Sequence, residues 1–286
     1  MINSCTEYPR IAALMTCFNR KELTLRCLQT LNAIPEKVEV FLVNDNCTDG
    51  TPEAVQVHFP QVHIIQGTGT LYWNRGMHLA WSTALSGKYD FYLLLNDDVS
   101  LYSDFLTCLL ADSKEKEDQA ILSGAVKDPQ TGNISYGGIN RVTQKRAEPN
   151  GVLQPIQNLN GNVLLVPCSV VNKIGILDPV YKHHFGDGDY GLRAWKNGIE
   201  VLLGKKYAGE CKCNPLDRNR KPGVTIWKRF QFLYSPFGSP PKSIVRFWGK
   251  HKSYFYAFIY VIYLHLINVI PDKLYFAFFP NRKELR

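Results

Sequence analysis

One rhythm in this chain narrows its fold more than any other feature. Four short apolar runs, Ile11–Cys17, Val38–Val43, Val62–Ile65 and Tyr89–Leu95, are separated by segments whose apolar residues recur at helical spacing. Leu23, Cys27, Leu28, Leu31 and Ile34 mark one such helix, ended by Pro35; Met77, Ala80, Trp81 and Ala84 mark another. Thr51-Pro52-Glu53 reads as an N-cap, a proline at the first helical position and an acid in the first turn, and Ser103 offers a cap for a helix over Asp104–Leu110. Strands alternating with helices imply an α/β fold with a mostly parallel sheet. The first, second and fourth runs barely alternate between apolar and polar, so helices are expected on both faces of the sheet.

The rest of the chain has a different texture. From about Ser123 to Val166 short segments rich in Gly, Asn and Thr predict hairpins or short strands. A helix resumes over Asp189–Asn197, with Asp189 at its cap, and Ile199–Leu203 is the last strand. The formal net charge of +8 is unevenly spread: residues 205–286 hold 16 Lys and Arg against 4 Asp and Glu, and residues 1–204 hold 17 against 21. The basic tail also carries Tyr254 to Ile270, rich in Tyr, Ile and Phe, and a second apolar patch from Leu274 to Phe279 followed by Arg282, Lys283 and Arg286. Aromatic residues beside basic ones suit a helix lying in the lipid headgroup layer. The longer run has 17 residues, broken by His265 and Asn268, against about 20 for a spanning helix, so peripheral contact with an anionic membrane surface is expected. Nucleic acid is not expected as a partner, since the basic residues follow no recognised stacking module. We therefore expect a body over residues 1–210 and a basic, aromatic helical appendage over 211–286.

The eight cysteines, among them Cys17, Cys27, Cys47 and Cys211, are scattered through apolar runs without a C-x-x-C pair. That usage favours reduced thiols in a cytoplasm over zinc or disulfides, and no signal-peptide pattern is expected from the polar start.

Open α/β sheets bind ligands beyond the carboxyl ends of their strands, so chemistry is sought there. After the first run comes Thr16-Cys17-Phe18-Asn19-Arg20, which by itself reads equally as a strand–helix loop with Asn19 as cap. After the second, Asp45 has no capping duty and could accept hydrogen bonds from a base or ribose, or serve the fold. After the fourth comes Asn96-Asp97-Asp98. Adjacent acids there are costly without a compensating cation, and carboxylates on a tight turn suit magnesium or manganese held jointly with substrate phosphates. A third place is His183-His184-Phe185-Gly186-Asp187-Gly188-Asp189, where Asp187, between two glycines, is a candidate general base and the histidines are candidates for an acceptor site.

Together these motifs resemble the family 2 glycosyltransferases of GT-A (Rossmann-like) fold, inverting enzymes that use nucleotide-sugar donors. The resemblance rests on Thr16–Arg20, Asn44–Gly50, Asn96–Asp98 and Phe185–Arg193, in that order. Gly67 to Gly76 (GTGTLYWNRG) and Ser235-Pro236-Phe237-Gly238 look most like the rhamnosyl- and galactofuranosyltransferase-like branch, which acts in bacterial surface polysaccharide assembly. The resemblance implies that Thr16, Asn19, Arg20 and Asp45 cradle base and ribose, that Arg75 lies near the donor phosphates, that Asn96 and Asp97 belong to the donor side, and that Asp98 holds the divalent metal.

Two departures stand out. The first acid of the usual D-x-D is Asn96, and the stretch after the last core strand, Gly209 to Asn214, lacks the histidine many relatives use as a metal ligand. The resemblance further implies a UDP- or dTDP-sugar donor, a glycan or lipid-linked glycan acceptor, and a cytoplasmic enzyme peripheral on the inner face of the cell membrane. Asp187 would take the acceptor's proton, with Asp189 as the other candidate base. A nicotinamide dehydrogenase is not expected, because Thr16–Arg20 contains no glycine. A catalytically inactive nucleotide-sugar or membrane-binding protein of the same fold is the reading of another class.

Overall fold

The computed structural model describes residues 8–213 and 223–278. These form two compact units. The first, an α/β unit, takes residues up to Pro179 and then Gly186–Cys213; the second takes Val180–Phe185 and the described residues from 223 onward. Phe279, Arg282, Lys283 and Arg286 of the expected tail, and Asn214, lie outside the described residues.

In the α/β unit the expected alternation is present: β1 (Ile11–Cys17), α1 (Lys21–Asn32), β2 (Val38–Asn44), α2 (Thr51–His58), β3 (His63–Gln66), α3 (Tyr72–Ala84) and β4 (Phe91–Leu95). A two-residue strand β5 (Ser100–Leu101) and α4 (Phe105–Glu115) lead into β6 (Ile121–Lys127). The Gly- and Asn-rich stretch forms the short strands β7 (Ile134–Tyr136), β8 (Ile139–Asn140) and β9 (Gln154–Gln157), then β10 (Val163–Pro167). The unit closes with α5 (Cys168–Ile174), α6 (Gly186–Lys196) and β11 (Val201–Glu210).

The strands order as β3-β2-β1-β4-β10-β6-β11-β9-β8. Pairing is parallel from β3 through β4 and between β6 and β11, while β10 runs antiparallel to both of its neighbours. Along β1 successive residues serve opposite faces, as a strand buried on both sides must. Ile11, Ala13, Met15 and Cys17 enter one core with α1 and α4; Ala12 and Leu14 enter the other with α3 and α6.

Register decides where the loops gather. Cys17 is level with Asn44 of β2, which is level with Gln66 of β3, and Leu14 is level with Leu94 of β4. The loops after β1, β2, β3 and β4 therefore open at one edge of the sheet. The antiparallel β10 begins at that same edge, with Val163 opposite Leu95.

Several element boundaries differ from the sequence reading. Thr51 is the first residue of α2 rather than its cap; Gly50, at φ +77°, takes the cap position. The capping acceptor is Asp49, whose Oδ1 takes the Thr51 N–H at 3.1 Å while its Oδ2 takes the Lys21 N–H of α1 at 2.9 Å. One carboxylate thus satisfies the open N-termini of two helices. Asn19 does not cap α1; its Oδ1 accepts the Thr48 N–H at 2.7 Å, tying the loop after β1 to the loop after β2. At α4 the cap is Asp104, not Ser103. The last strand runs on to Glu210, because its pairing with β6 resumes beyond an irregularity after Leu203. Helix α6 begins at Gly186, three residues before the expected cap, so Asp187 and Asp189 both lie in its first turn. Acids there are favoured by the helix dipole.

The helical unit comprises α7 (Ile226–Leu233), α8 (Pro241–His251), α9 (Tyr254–Val269) and α10 (Asp272–Phe278). Tyr181 of the segment Val180–Phe185 is fully buried, with its ring edge-on to Phe247 of α8. The buried Arg229 of α7 donates to the carbonyls of Asn268 and Ile270 and pairs with Asp272. Its guanidinium thus satisfies the carbonyl end of α9 and links it to α10. Among the described residues no helix is long and apolar enough to cross a membrane.

Candidate active site

The turn after β4 carries the densest charge at the open edge. Asp97 and Asp98 share one partner: Nη1 of Arg20 lies 3.2 Å from Asp97 Oδ1 and 3.1 Å from Asp98 Oδ2. The Thr24 hydroxyl donates to Asp97 Oδ2 at 3.3 Å, and the Cys27 thiol donates to the Asn96 carbonyl at 3.4 Å. Residues 20, 24 and 27 follow helical spacing, so the start of α1 and its inner face clasp the whole turn.

Burial has a cost here. Asp97 has a 6% exposed side chain, and desolvation pushes its pKa up to about 7; the Asp98 charge adds to the rise, and Arg20 and Thr24 offset part of it. Asp98 is less enclosed. Its Oδ1 accepts from the Cys211 thiol at 3.5 Å, and burial, with the neighbouring carboxylate, keeps that thiol protonated. Asn162, whose carbonyl accepts the Asn96 N–H at 3.0 Å, reaches the same sulfur with its side chain.

This arrangement suits a divalent cation. Two acids share one guanidinium, so when Asp97 is ionised an unbalanced negative charge remains at the mouth of the turn. The partly open acid, Asp98, offers hard oxygen ligands of the kind magnesium and manganese take. Among the described residues no group of three or more His, Cys, Asp or Glu could enclose a metal. Such an ion would be completed by a substrate's phosphates, as magnesium sites commonly are.

Helix α3 holds the remaining pieces together. The Trp73 indole N–H donates to Asn96 Oδ1 at 2.7 Å, so the amide oxygen at the first D-x-D position is engaged. Trp73 packs on Gly161, where an added Cβ would meet the ring at 2.1 Å; Gly76 lets α3 rest on Thr16, whose hydroxyl would lie 2.3 Å from such a Cβ. Asn74 and Arg75 reach the chain before α6: Asn74 Nδ2 donates to the Asp178 carbonyl and Arg75 Nε to that of Pro179, each at 2.8 Å. A Cβ on Gly186 would collide with the Asn74 side chain, so only glycine admits the start of α6 this close to α3. Asp187 is thereby set one residue from a fixed contact with Asn74 of α3, whose neighbour Trp73 bonds Asn96.

Asp45 has a structural task. Its carboxylate accepts the N–H groups of Gly69 at 2.7 Å, Leu71 at 3.0 Å and Tyr72 at 3.1 Å. It organises the loop before α3, including Tyr72 at φ +59°, a strained setting for a large side chain. Asp189 is fully buried and pairs with Arg193 at 2.8 Å; the same guanidinium donates to the carbonyls of Ile174 and Ile176. That network fastens α6 to the end of α5. Asp187 is partly buried, with Oδ1 accepting the N–H of Gly188. His184 bonds the Phe237 carbonyl at 2.7 Å within the helical unit.

Thr16, Asn19, Arg20, Asp45, Asn96, Asp97 and Asp98 are therefore at the same edge of the sheet. Thr24, Trp73, Asn162 and Cys211 join them and were not singled out from the sequence. Thr24, Trp73 and Cys211 have a visible trace there, the first in its spacing from Arg20, the second inside the Gly67–Gly76 segment and the third inside the Gly209–Asn214 stretch; Asn162 does not.

Known proteins are similar to this chain. An N-acetylglucosaminyl-diphospho-decaprenol L-rhamnosyltransferase of Mycobacterium tuberculosis is 25% identical over 205 residues, 60% of this chain and 66% of that protein. The chain thus spans slightly less than two thirds of that relative's length. Among solved structures, Staphylococcus aureus TarS 1–349 matches with a TM-score of 0.54 at 13% identity, over 71% of this chain and 60% of that one; TarS has also been solved with UDP-GlcNAc. A mannosyltransferase from Pyrobaculum calidifontis, in complex with GDP-Man and Mn2+, matches with a TM-score of 0.53 at 16% identity, over 92% of this chain and 72% of that one. These structures share the GT-A fold with it. The sequence pattern of glycosyl transferase family 2 matches residues 12–172, more than half of the chain and the stretch that builds the acid turn with its α1 and α3 clasps, and the protein belongs to that family.

Proposed function

We propose that this protein is an inverting glycosyltransferase. It moves a sugar from a nucleoside diphosphate, in a UDP- or dTDP-linked donor, to a hydroxyl of a lipid-linked glycan acceptor during bacterial surface polysaccharide synthesis. The observation that carries the reading is the Asn96–Asp98 turn, clasped by Arg20 and Thr24 at the strand edge where α/β sheets take nucleotides. The mycobacterial relative, named for a lipid-diphosphate acceptor, supports the acceptor class.

The donor's base and ribose rest against Thr16, Asn19 and the loop that Asp45 organises, with the Asn96 amide NH2 on the ribose side. Arg20 is held between two acids and keeps its remaining N–H groups for the diphosphate; Arg75 supplies a second guanidinium. Asp98 would hold magnesium or manganese, which when bound would neutralise charge gathering on the leaving diphosphate. Asp187 accepts the proton of the acceptor hydroxyl. The freed oxygen forms a bond to the anomeric carbon from the face opposite the diphosphate, the bond from that carbon to the diphosphate oxygen breaks, and the configuration inverts. Asp187 is preferred over Asp189 because Asp189 is fully buried and bound to Arg193.

The test is release of nucleoside diphosphate from a panel of sugar nucleotides, with manganese or with EDTA, and with a short lipid-diphosphate sugar as acceptor. One donor is expected to turn over only when acceptor and metal are both present. Binding of a sugar nucleotide without turnover across the panel would leave the inactive, binding-only reading.

A further inference from the structure

Helix α9 has two unlike sides. Ala257 and Asn268 are buried, and Tyr234, at the C-cap of α7, bonds His265 at 2.7 Å. On the other side Phe255, Phe258, Ile259, Ile262, Leu266 and Val269 are 42–75% exposed. Their offsets of 3, 4, 7, 11 and 14 from the first place them on one stripe. The stripe runs about 21 Å at 1.5 Å per residue and contains no charged or hydrogen-bonding side chain. A surface helix ordinarily turns its polar side to water, and an apolar strip of this length marks an interaction surface.

Charge identifies the occupant. Among the described residues of the helical unit, eight Lys and Arg stand against one acid, Asp272, which Arg229 already engages. Lys250 and Lys252 precede the stripe and Lys273 follows it. Lys252 sits over the rings of Trp248 and Tyr256, at 5.1 and 4.2 Å, a cation and aromatic pairing suited to headgroup depth. A second copy of the chain would bring like charge against like charge; an anionic lipid surface meets both the cations and the apolar strip. The helix lies along such a surface and does not cross it. Its 16 residues span about 24 Å against a hydrocarbon core of about 30 Å, and one of its sides is already packed.

We propose that α9 is an in-plane membrane helix, inserting Phe255, Phe258, Ile259, Ile262, Leu266 and Val269 among the acyl chains of an anionic bilayer while Lys250, Lys252 and Lys273 meet the headgroups. The glycosyl-transfer reading supplies only the reason a bilayer is at hand.

The full chain is expected to sediment with vesicles of phosphatidylcholine containing phosphatidylglycerol. The combined variant Phe258→Ser, Ile262→Ser and Leu266→Ser changes exposed positions, so it is expected to melt as the wild type does and to bind those vesicles at least about tenfold more weakly. Added salt is expected to release only part of the bound wild type, since ions screen the lysines and leave apolar burial untouched. Wild-type protein that stays in the supernatant, or a triple variant that sediments like the wild type, overturns the proposal. A wild-type dimer abolished by the triple variant, without vesicle binding, overturns it too and assigns the stripe to a second copy. Thermal shift with UDP and manganese separates this question from the chemistry. Vesicle binding with no nucleotide shift would fail the transferase and keep α9, and the converse would fail α9 alone.

Discussion

Asp97, Asp98, Asp187 and Asp189 are one side chain in four surroundings, and the surroundings divide their work. Asp189 is spent on Arg193, Asp98 looks outward, and Asp187 occupies the first turn of a helix pinned to α3. Replacing Asp187 with Asn keeps the shape and removes the base. Turnover is expected to fall by about a hundred- to ten-thousand-fold, with the thermal shift on UDP and manganese unchanged. Full activity in that variant would move the base elsewhere. Asp97 makes a different prediction. Its pKa rises from 3.8 to about 7 on folding, so between those values the native state holds a proton that the unfolded chain has released. The Asp97 contribution to stability is therefore highest below about pH 4, falls as pH rises through about pH 7, and levels off above it. Asp97→Asn lacks this loss. The melting temperature of the variant minus that of the wild type is expected to climb from pH 4 to pH 7 and then stay flat; a flat difference throughout would show that Asp97 is ionised across the range.

Elements bring these side chains together through contacts that local sequence records unevenly. The apolar runs identified the main strands because burial on both faces leaves a continuous hydrophobic signature. Caps were harder to read. Thr51 has capping chemistry, yet Gly50 takes the cap geometry and Asp49 supplies the acceptor for α1 and α2 together. Asp49→Ala is therefore expected to cost about 1–2 kcal/mol in denaturant unfolding, more than Thr51→Ala, because two helix ends lose their acceptor. An equal cost for the two variants would return the cap to Thr51. The acid turn was legible from its chemistry, since two neighbouring carboxylates after a buried strand demand compensation. Its clasp was not, because Trp73 meets Asn96, and Cys211 meets Asp98, only through a sheet register spanning 23 and 113 residues of chain. Asp45 shows the opposite problem. Its place at a strand end suits a nucleotide contact, and only the folded loop reveals three N–H groups already upon it.

At the scale of the molecule, composition separated a basic, aromatic tail from a mildly acidic body, but nothing in it distinguishes Val180–Phe185. That hexapeptide leaves the α/β unit, buries Tyr181 beside Phe247, and hands the chain back to α6. A fragment ending at residue 213 deletes Phe247 and bares the Tyr181 ring. It is expected to melt below the full chain, and Tyr181→Ser in that fragment is expected to cost less stability than Tyr181→Ser in the full chain, where the ring packs on Phe247. A fragment as stable as the parent, with an equal cost of Tyr181→Ser in both, would show that the hexapeptide belongs with the α/β unit. The interleaving also sets how such a protein can be shuffled. A transplanted C-terminal module that omits these six mid-chain residues arrives without its own keystone, so viable chimeras among relatives should carry paired crossovers, one flanking the hexapeptide and one after the final strand.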